Sequence, residues 1–407
     1  MSNAKQQPIW TKSFIGISMT QFMVFMIFYT LLTTLPIYVI NSLGKSEADG
    51  GLIVTVMLVA AIIVRPFSAN LLDKTGKKRG LILSVATFTV TTFFYIWIDE
   101  FIPLLILRFI HGLSFGVITT ATGAIAADVI PHDRRGAGLG YFAMAMNLAV
   151  VVGPFIGLSL LQFVSFKMLF VILSILMIAG LIFSIIVHVP QENEITIKAG
   201  NHKFSPNDLI ELKAIPIALI SSFVSLAYAS ILSFISVYSD SLGLSAAASY
   251  FFLVFAIVML ISRPYFGRTF DIKGPNYVIL PCLFIFAIGL LTLSFTGSAW
   301  MLLLSAGLIG LGYGTLLPSF QTMAIQTADH ARSGHATATF FMLYDTGIAV
   351  GSFVWGLVVA GVGFQKLYMI NVILVVVVIG LFLLYQSRQQ RRTQAENKVY
   401  NEEQRVK

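Results

Sequence analysis

The chain has 407 residues, 57% of them hydrophobic and only 11% charged, with 26 Lys and Arg against 18 Asp and Glu. Soluble domains run at about 45–50% apolar and about 25% charged, so this composition excludes a water-soluble fold. A single cysteine, Cys282, excludes an intramolecular disulfide and a cysteine metal cluster.

In chain order, Met1 to Lys12 is polar and the apolar run after it is too long for the core of a signal peptide, so none is expected. Apolar runs follow near 14–38, 51–72, 80–98, 101–127, 139–161, 168–188, 215–238, 247–268, 277–296, 300–326, 336–360 and 367–386. A spanning helix needs about 20 apolar residues, so these are twelve candidate spans. Hydrocarbon offers no partner to a backbone amide, and the runs lack the two-residue alternation of a barrel, so they are predicted as helices. The long polar stretch at 189–213 divides them six and six. The expected organisation is an all-α membrane protein with bundles at 1–188 and 214–386, a cytoplasmic loop at 189–213 and a cytoplasmic tail at 387–407.

Twenty of the 26 basic residues fall in the N-terminus, the even-to-odd loops and the tail, whereas the opposite loops carry Lys45, Lys167 and Lys366. The positive-inside rule then places both termini in the cytoplasm. The charge of +8 reads as topology, and no aromatic-interleaved basic module points to nucleic acid.

The chain is also an internal duplication. Arg65, Pro66, Asp73, Gly76, Gly112, Gly116, Arg134, Gly136 and Gly153 recur 198 positions later as Arg263, Pro264, Asp271, Gly274, Gly310, Gly314, Arg332, Gly334 and Gly351. Upstream, Ser42-Leu43-Gly44 recurs at a spacing of 199 as Ser241-Leu242-Gly243. Six spans per copy give both copies one orientation, so they are parallel repeats with a site expected between them.

These residues carry a family resemblance. Arg65-Pro66-Phe67-Ser68-Ala69-Asn70-Leu71-Leu72-Asp73-Lys74-Thr75-Gly76-Lys77-Lys78 resembles the loop signature between the second and third helices of major facilitator transporters, with Ala69 at a usual glycine. Arg108-Phe109-Ile110-His111-Gly112 is similar to the family's Arg-x-x-Gln-Gly, with His111 for glutamine. Gly140, Ala149, Gly153-Pro154 and Gly157 resemble its antiporter signature, with Ala149 at one glycine. The resemblance implies a twelve-helix, drug/proton-antiporter-like exporter, acting as a monomer in a bacterial cell membrane on a small molecule and protons, without cofactor or metal. It also implies a latch in which Asp73 and Asp271 cap helices of the opposite half, with Gly76 and Gly274 in the turns and Arg65 and Arg263 in support. A plain Asp-x-x-Gly turn uses the same residues.

The small residues Ala145, Ala149, Gly153 and Gly157 recur every fourth position, which lets two helix backbones approach closely. The resemblance makes that face a sliding seam between halves, bent at Pro154. Asp345, about nine residues into its span and so about 14 Å deep, is the one acid far inside a span. A charge there costs at least about 2.5–3.5 kcal/mol, which makes the carboxylate a candidate proton carrier or a structural ion-pair partner. Its repeat partner is Asn147, which cannot titrate. Arg108 and His111 share a helix face and are candidates for coupling and for the cavity, as a fixed cation and a relay, with helix packing as the alternative for His111. Gln21, Tyr29, Thr30, Ser225, Tyr313 and Gln321 are further cavity candidates.

The leading expectation is proton-coupled export of small amphipathic molecules. The alternatives are export of an anionic or zwitterionic metabolite such as a metallophore, and proton-driven import. An enzyme is disfavoured by the lack of paired carboxylates, metal-spaced histidines, a Gly-x-Ser-x-Gly elbow or a phosphate loop. A channel is disfavoured by the duplication with its matched aspartates.

Overall fold

The computed structural model describes residues 8–131, 135–189, 210–328 and 333–406. Their long helices are α1 (Lys12–Ile37), α2 (Glu47–Thr75), α3 (Lys77–Phe94), α4 (Phe101–Val129), α5 (Arg135–Leu160) and α6 (Phe166–Ile186), then α7 (Ile215–Ser241), α8 (Ser245–Lys273), α9 (Asn276–Ser294) and α10 (Ala299–Gln326). The last helical stretch, Ser333–Val406, breaks where Gly363 takes φ 80°, giving α11 (333–362) and α12 (364–406). No strand occurs among the described residues. Nine segments among them are long and apolar enough to cross a membrane, and the last, 335–390, covers both α11 and α12. α3 misses that measure because it opens on Lys77, Lys78 and Arg79 and has 18 residues. The expected central loop lies mostly outside the described residues, and α12 continues into the expected tail, to Val406.

Local chemistry explains where the helices begin and turn. Ser46 and Asp49 form a capping box at the start of α2, and Ser165 and Ser298 cap α6 and α10. Pro36 removes a backbone bond near the end of α1, and the chain widens into a π-helical turn over Tyr38–Ser42. Gly76 and Gly274 stop α2 and α8 with φ of 80° and 91°, a backbone conformation suited to glycine. Large apolar side chains face outward along the bundle, among them Leu83, Ile102, Ile261 and Ile373. An outer surface of this kind requires lipid as its solvent.

The repeat is visible in the packing. A Cβ on Gly112 would collide with the Met57 carbonyl of α2, and one on Gly310 would collide with that of Phe255 on α8. Met57 and Phe255 are themselves 198 apart, so one glycine joint is built twice. Gly153 and Gly157 of α5 press onto Met26 and Thr30 of α1, and the Thr30 hydroxyl donates to the Gly153 carbonyl at 2.8 Å. Gly347 and Gly351 of α11 press in the same way onto Ser222 and Leu226 of α7. Gly153 and Gly157 therefore pack within one half, where a seam between halves was expected of the face they share with Ala145 and Ala149. Gly140 lies in α5, and its surroundings lie outside the described residues.

Two lysines beside the loop signature fasten the first half from within. Lys77 pairs with Asp128 of α4 at 2.6 Å. Lys78 donates to the Ser184 carbonyl at 2.8 Å, the Ile185 carbonyl at 2.6 Å and the Val187 carbonyl, meeting acceptors that the C-terminus of α6 cannot satisfy itself. At the opposite loop end, Lys167 and the Tyr38 hydroxyl both donate to Asp99 and hold its carboxyl below the usual range. That contribution is present at neutral pH and is lost as the pH falls through the lowered pKa.

Gly112→Ala should destabilise the detergent-purified protein by about 1–3 kcal/mol, because its methyl group has no room against α2. Gly123→Ala, with nothing within 4 Å of the added carbon, should be neutral or stabilising by about 0.5–1 kcal/mol. Thermal unfolding of the two variants side by side checks the pair.

Candidate functional site

The two halves meet through α2 against α11, α5 against α8 and α1 against α7. Close approaches gather at the end of the bundle that carries Lys45, Lys167 and Lys366. A Cβ on Gly51 would collide with the Ser352 carbonyl, and one on Gly356 would lie 2.6 Å from the carbonyl oxygen of Glu47. Hydrogen bonds also cross between the halves. The Thr55 hydroxyl donates to the Ala349 carbonyl at 2.6 Å, the Gln162 amide donates to the Ser249 hydroxyl at 2.6 Å, and the Arg65 guanidinium donates to the Asp345 carboxylate.

That last contact is an ion pair, and it closes the inner end of the α2–α11 seam. Sequence reasoning put Arg65 near the basic loop end as support for a latch; its side chain instead reaches along α2 to the deep acid of the other half. The pair is half-buried, with side-chain exposures of 22% and 13%. Each charge is costly at this depth, and each offsets the other only while the halves stay together. Asp73 lies in the last turn of α2 and Asp271 in that of α8, but their side chains lie outside the described residues.

Beside the pair lies a small central cavity of about 20 Å³, room for a single water. Tyr29 of α1 and Val150 of α5 line it from the first half, and Tyr228, Phe255, Arg263, Tyr313 and Tyr344 line it from the second. The aromatic wall is continuous: Tyr228 and Tyr313 stack with ring centroids 3.7 Å apart, and the Tyr313 and Tyr344 hydroxyls are hydrogen-bonded to each other. Tyr29 and Tyr228 are partners at the 199-residue spacing, so both repeats present a tyrosine to the same space. Arg263, expected in a peripheral latch, is the one charged side chain in the lining among the described residues.

The other expected cavity residues sit elsewhere. Arg108 is fully buried inside the first half, donating to the Ile53 carbonyl at 3.2 Å and to the Tyr95 hydroxyl at 3.5 Å. No carboxylate among the described residues lies within ion-pair distance of it. His111 lies against Phe88, its Nδ1 3.1 Å from the Tyr95 hydroxyl and its Nε2 3.4 Å from the Thr92 hydroxyl. Neither is in the cavity lining. Gln21 accepts from the Thr122 hydroxyl at 2.6 Å, tying α1 to α4, and Ser225 donates to the Tyr344 carbonyl at 2.8 Å, tying α7 to α11. Gln321 is half-exposed on α10 and outside the lining. Of the cavity candidates, the structure brings Tyr29 and Tyr313 together. It adds Tyr228 and Tyr344, which the repeat spacing and adjacency to Asp345 could have signalled, and Phe255, which had no such signal.

Comparison with known proteins agrees with this architecture. A family model described as Major Facilitator Superfamily matches residues 17–280 and 252–403. The quinolone resistance protein NorA of Staphylococcus aureus is 29% identical over 192 residues, 47% of this chain and 48% of NorA, so the match spans about half of that relative. The MFS-type transporter MJ1560 of Methanocaldococcus jannaschii is 25% identical over 370 residues, covering 87% of this chain and 96% of its own. Among solved structures, a bacterial homologue of the human lysosomal transporter Spinster superposes with a TM-score of 0.77 at 14% identity, covering 94% of this chain and 98% of that one. The nucleoside transporter NupG superposes with a TM-score of 0.71 at 16% identity, covering 92% of this chain and 99% of its own. At these identities the likeness shows the fold.

The seam makes a prediction through non-additivity. With Cys282 replaced by serine, a cysteine at Thr55 should react slowly with a soluble thiol reagent and several-fold faster when Arg65→Gln or Asp345→Asn is added. The double variant should react no faster than either single one, because both changes remove the same pair. Effects that simply multiply would show that the two side chains act apart.

Proposed function

The chain belongs to the Major Facilitator Superfamily and is a multi-pass membrane transporter, and on that premise we propose that it exports small amphipathic molecules in exchange for protons across a bacterial cell membrane. The observation that carries the reading is the Arg65–Asp345 pair, which joins the halves beside an aromatic cavity. The basic loop end is cytoplasmic in this reading, following the bias of Lys and Arg. The arrangement described is then closed towards the outside, with both termini in the cytoplasm.

Exchange requires that the empty, unprotonated carrier stay locked, and the ion pair supplies that lock. A proton on Asp345 removes the negative partner and loosens the seam. A substrate held between Tyr29 and Tyr344, the residue next to Asp345, disturbs the same pair from the cavity. Either ligand alone permits crossing, which is the condition for exchange without leak. One proton driven by about 100 mV supplies about 2.3 kcal/mol, enough for roughly a fifty-fold gradient of a neutral substrate. The name of NorA as a quinolone resistance protein and the Gly153-Pro154-x-x-Gly157 signature support the outward direction. Asp73 and Asp271 serve as the latch of the cytoplasmic end in the opposite conformer.

Inverted vesicles with an imposed pH gradient, loaded from a screen of drug-like compounds in a transporter-depleted host, test the reading. Asp345→Asn should abolish uphill transport and substrate-driven proton movement while downhill exchange survives. Asp73→Asn should cut turnover with expression intact. Full coupling in Asp345→Asn would refute the assignment of the proton to that residue.

A further inference from the structure

We infer that the outer face of α8 holds the headgroup of an anionic phospholipid, with the Arg268 guanidinium on its phosphate.

The lipid-facing stripe of α8 is the first observation. Ile257, Ile261, Tyr265, Arg268 and Ile272 follow at steps of four, four, three and four, so they share one side of the helix. Ile261, Tyr265 and Ile272 are 74%, 71% and 68% exposed, and Arg268 is exposed between them. An apolar face this open requires lipid, yet a cation is set into it. Ile272 lies about 6 Å beyond Arg268 towards the end of the helix, so the apolar surface continues past the charge. The guanidinium therefore stems from within the stripe and not from the loop.

The second observation is that the protein offers this charge no partner. Arg268 makes no ion pair and no hydrogen bond among the described residues. A guanidinium cannot lose its proton, and a charge at the edge of hydrocarbon is costly unless a counter-ion meets it. A lipid phosphate is the anion present at that level, and its oxygens match the parallel donors of the guanidinium.

The repeat shows that the feature is particular to the second half. The matching positions of α2 are Ile63, Phe67, Asn70 and Lys74, of which Ile63 and Phe67 are likewise exposed. The first cation on that stripe is Lys74, at the position of Ile272, so the charge on α8 is set one turn deeper. Around it, Tyr265 stands one turn away on the same face, with a hydroxyl suited to the headgroup region. Lys273 is exposed in the last turn of α8, and α9 opens on Pro275 with no side-chain cap hydrogen bond, which brings the positive end of a second helix to the same rim. This collection of positive charge favours a headgroup with a net negative charge over one that also carries an ammonium group. α8 lines the central cavity through Arg263 and packs on α5 of the other half, so the lipid sits on a helix of the seam.

Native mass spectrometry of the full-length protein in detergent tests this, with phosphatidylglycerol and phosphatidylcholine of identical acyl chains as the probes. The first phosphatidylglycerol should bind at least about tenfold tighter than the first phosphatidylcholine, as expected of a charge-assisted bond. Arg268→Gln should lower phosphatidylglycerol binding to the level of phosphatidylcholine while leaving the latter unchanged, which also certifies the fold of the variant. Arg268→Lys should keep part of the preference. Arg79→Gln, which removes an exposed cation of the first half, should leave it intact. Inorganic phosphate in excess should not displace the lipid, because it lacks the acyl chains that pack on the stripe. Equal binding of the two lipids, a preference that survives Arg268→Gln, an equal loss in Arg79→Gln, or displacement by inorganic phosphate would each overturn the proposal.

Discussion

Two opposite, half-buried charges at the junction of two separately packed bundles form the constraint around which this molecule is organised. Within each half the helices are joined by close contacts of glycines against carbonyl oxygens, at Gly112 and Gly310 and at Gly153 and Gly351. Between the halves glycines also meet carbonyl oxygens, Gly51 at Ser352 and Gly356 at Glu47, beside hydrogen bonds from Thr55 and Gln162 and the ion pair of Arg65 with Asp345. The Arg65–Asp345 pair is the charge-dependent element of that seam, and packed interfaces of this kind switch between discrete arrangements and do not deform smoothly. The seam's inner end is also the cavity's edge, because Asp345 follows Tyr344 in the chain and Tyr344 lines the cavity.

The duplication gives the fold near-symmetry, and a few positions break it. Glycine joints, turns at Gly76 and Gly274 and the tyrosines at 29 and 228 are matched between repeats. Asp345 against Asn147 is not matched, and neither is Trp355 against Gly157; the Trp355 ring nitrogen donates to the Leu226 carbonyl at 2.7 Å, filling a joint that the first half leaves to glycine. In sequence, the carboxylate of Asp345 therefore stands where the first repeat has the amide of Asn147.

Much of the fold was legible because membranes impose simple rules. Runs of about 20 apolar residues, loop charge and a repeat at 198 positions each express one strong constraint, and the helices follow them closely. The site was legible only in part. In a soluble helix polar residues mark the exposed face, but a membrane helix has three apolar-tolerant surroundings: lipid, bundle core and cavity. Arg108, His111, Gln21 and Ser225 are polar and deep, and sequence alone could not tell that each faces its own bundle. Arg65 was misplaced for another reason. Its Cα lies towards the basic end, but a long flexible side chain carries the charge elsewhere, and rise per residue locates only the backbone. The loop signature's lysines show the same limit, since Lys77 and Lys78 read as loop charge and prove to be fasteners of α4 and α6.

The distance across the closed end tests the central claim most directly. Spin labels at Lys45→Cys and Lys366→Cys, in a Cys282→Ser background, sit at exposed positions of opposite halves at the end sealed by α2 and α11. Pulsed dipolar spectroscopy in nanodiscs should give one short distance at alkaline pH and a growing long-distance population on acidification, as a proton on Asp345 releases Arg65. With Asp345→Asn the long population should be present throughout and should not respond to pH. A distribution that responds to acid equally with and without the carboxylate would contradict the account.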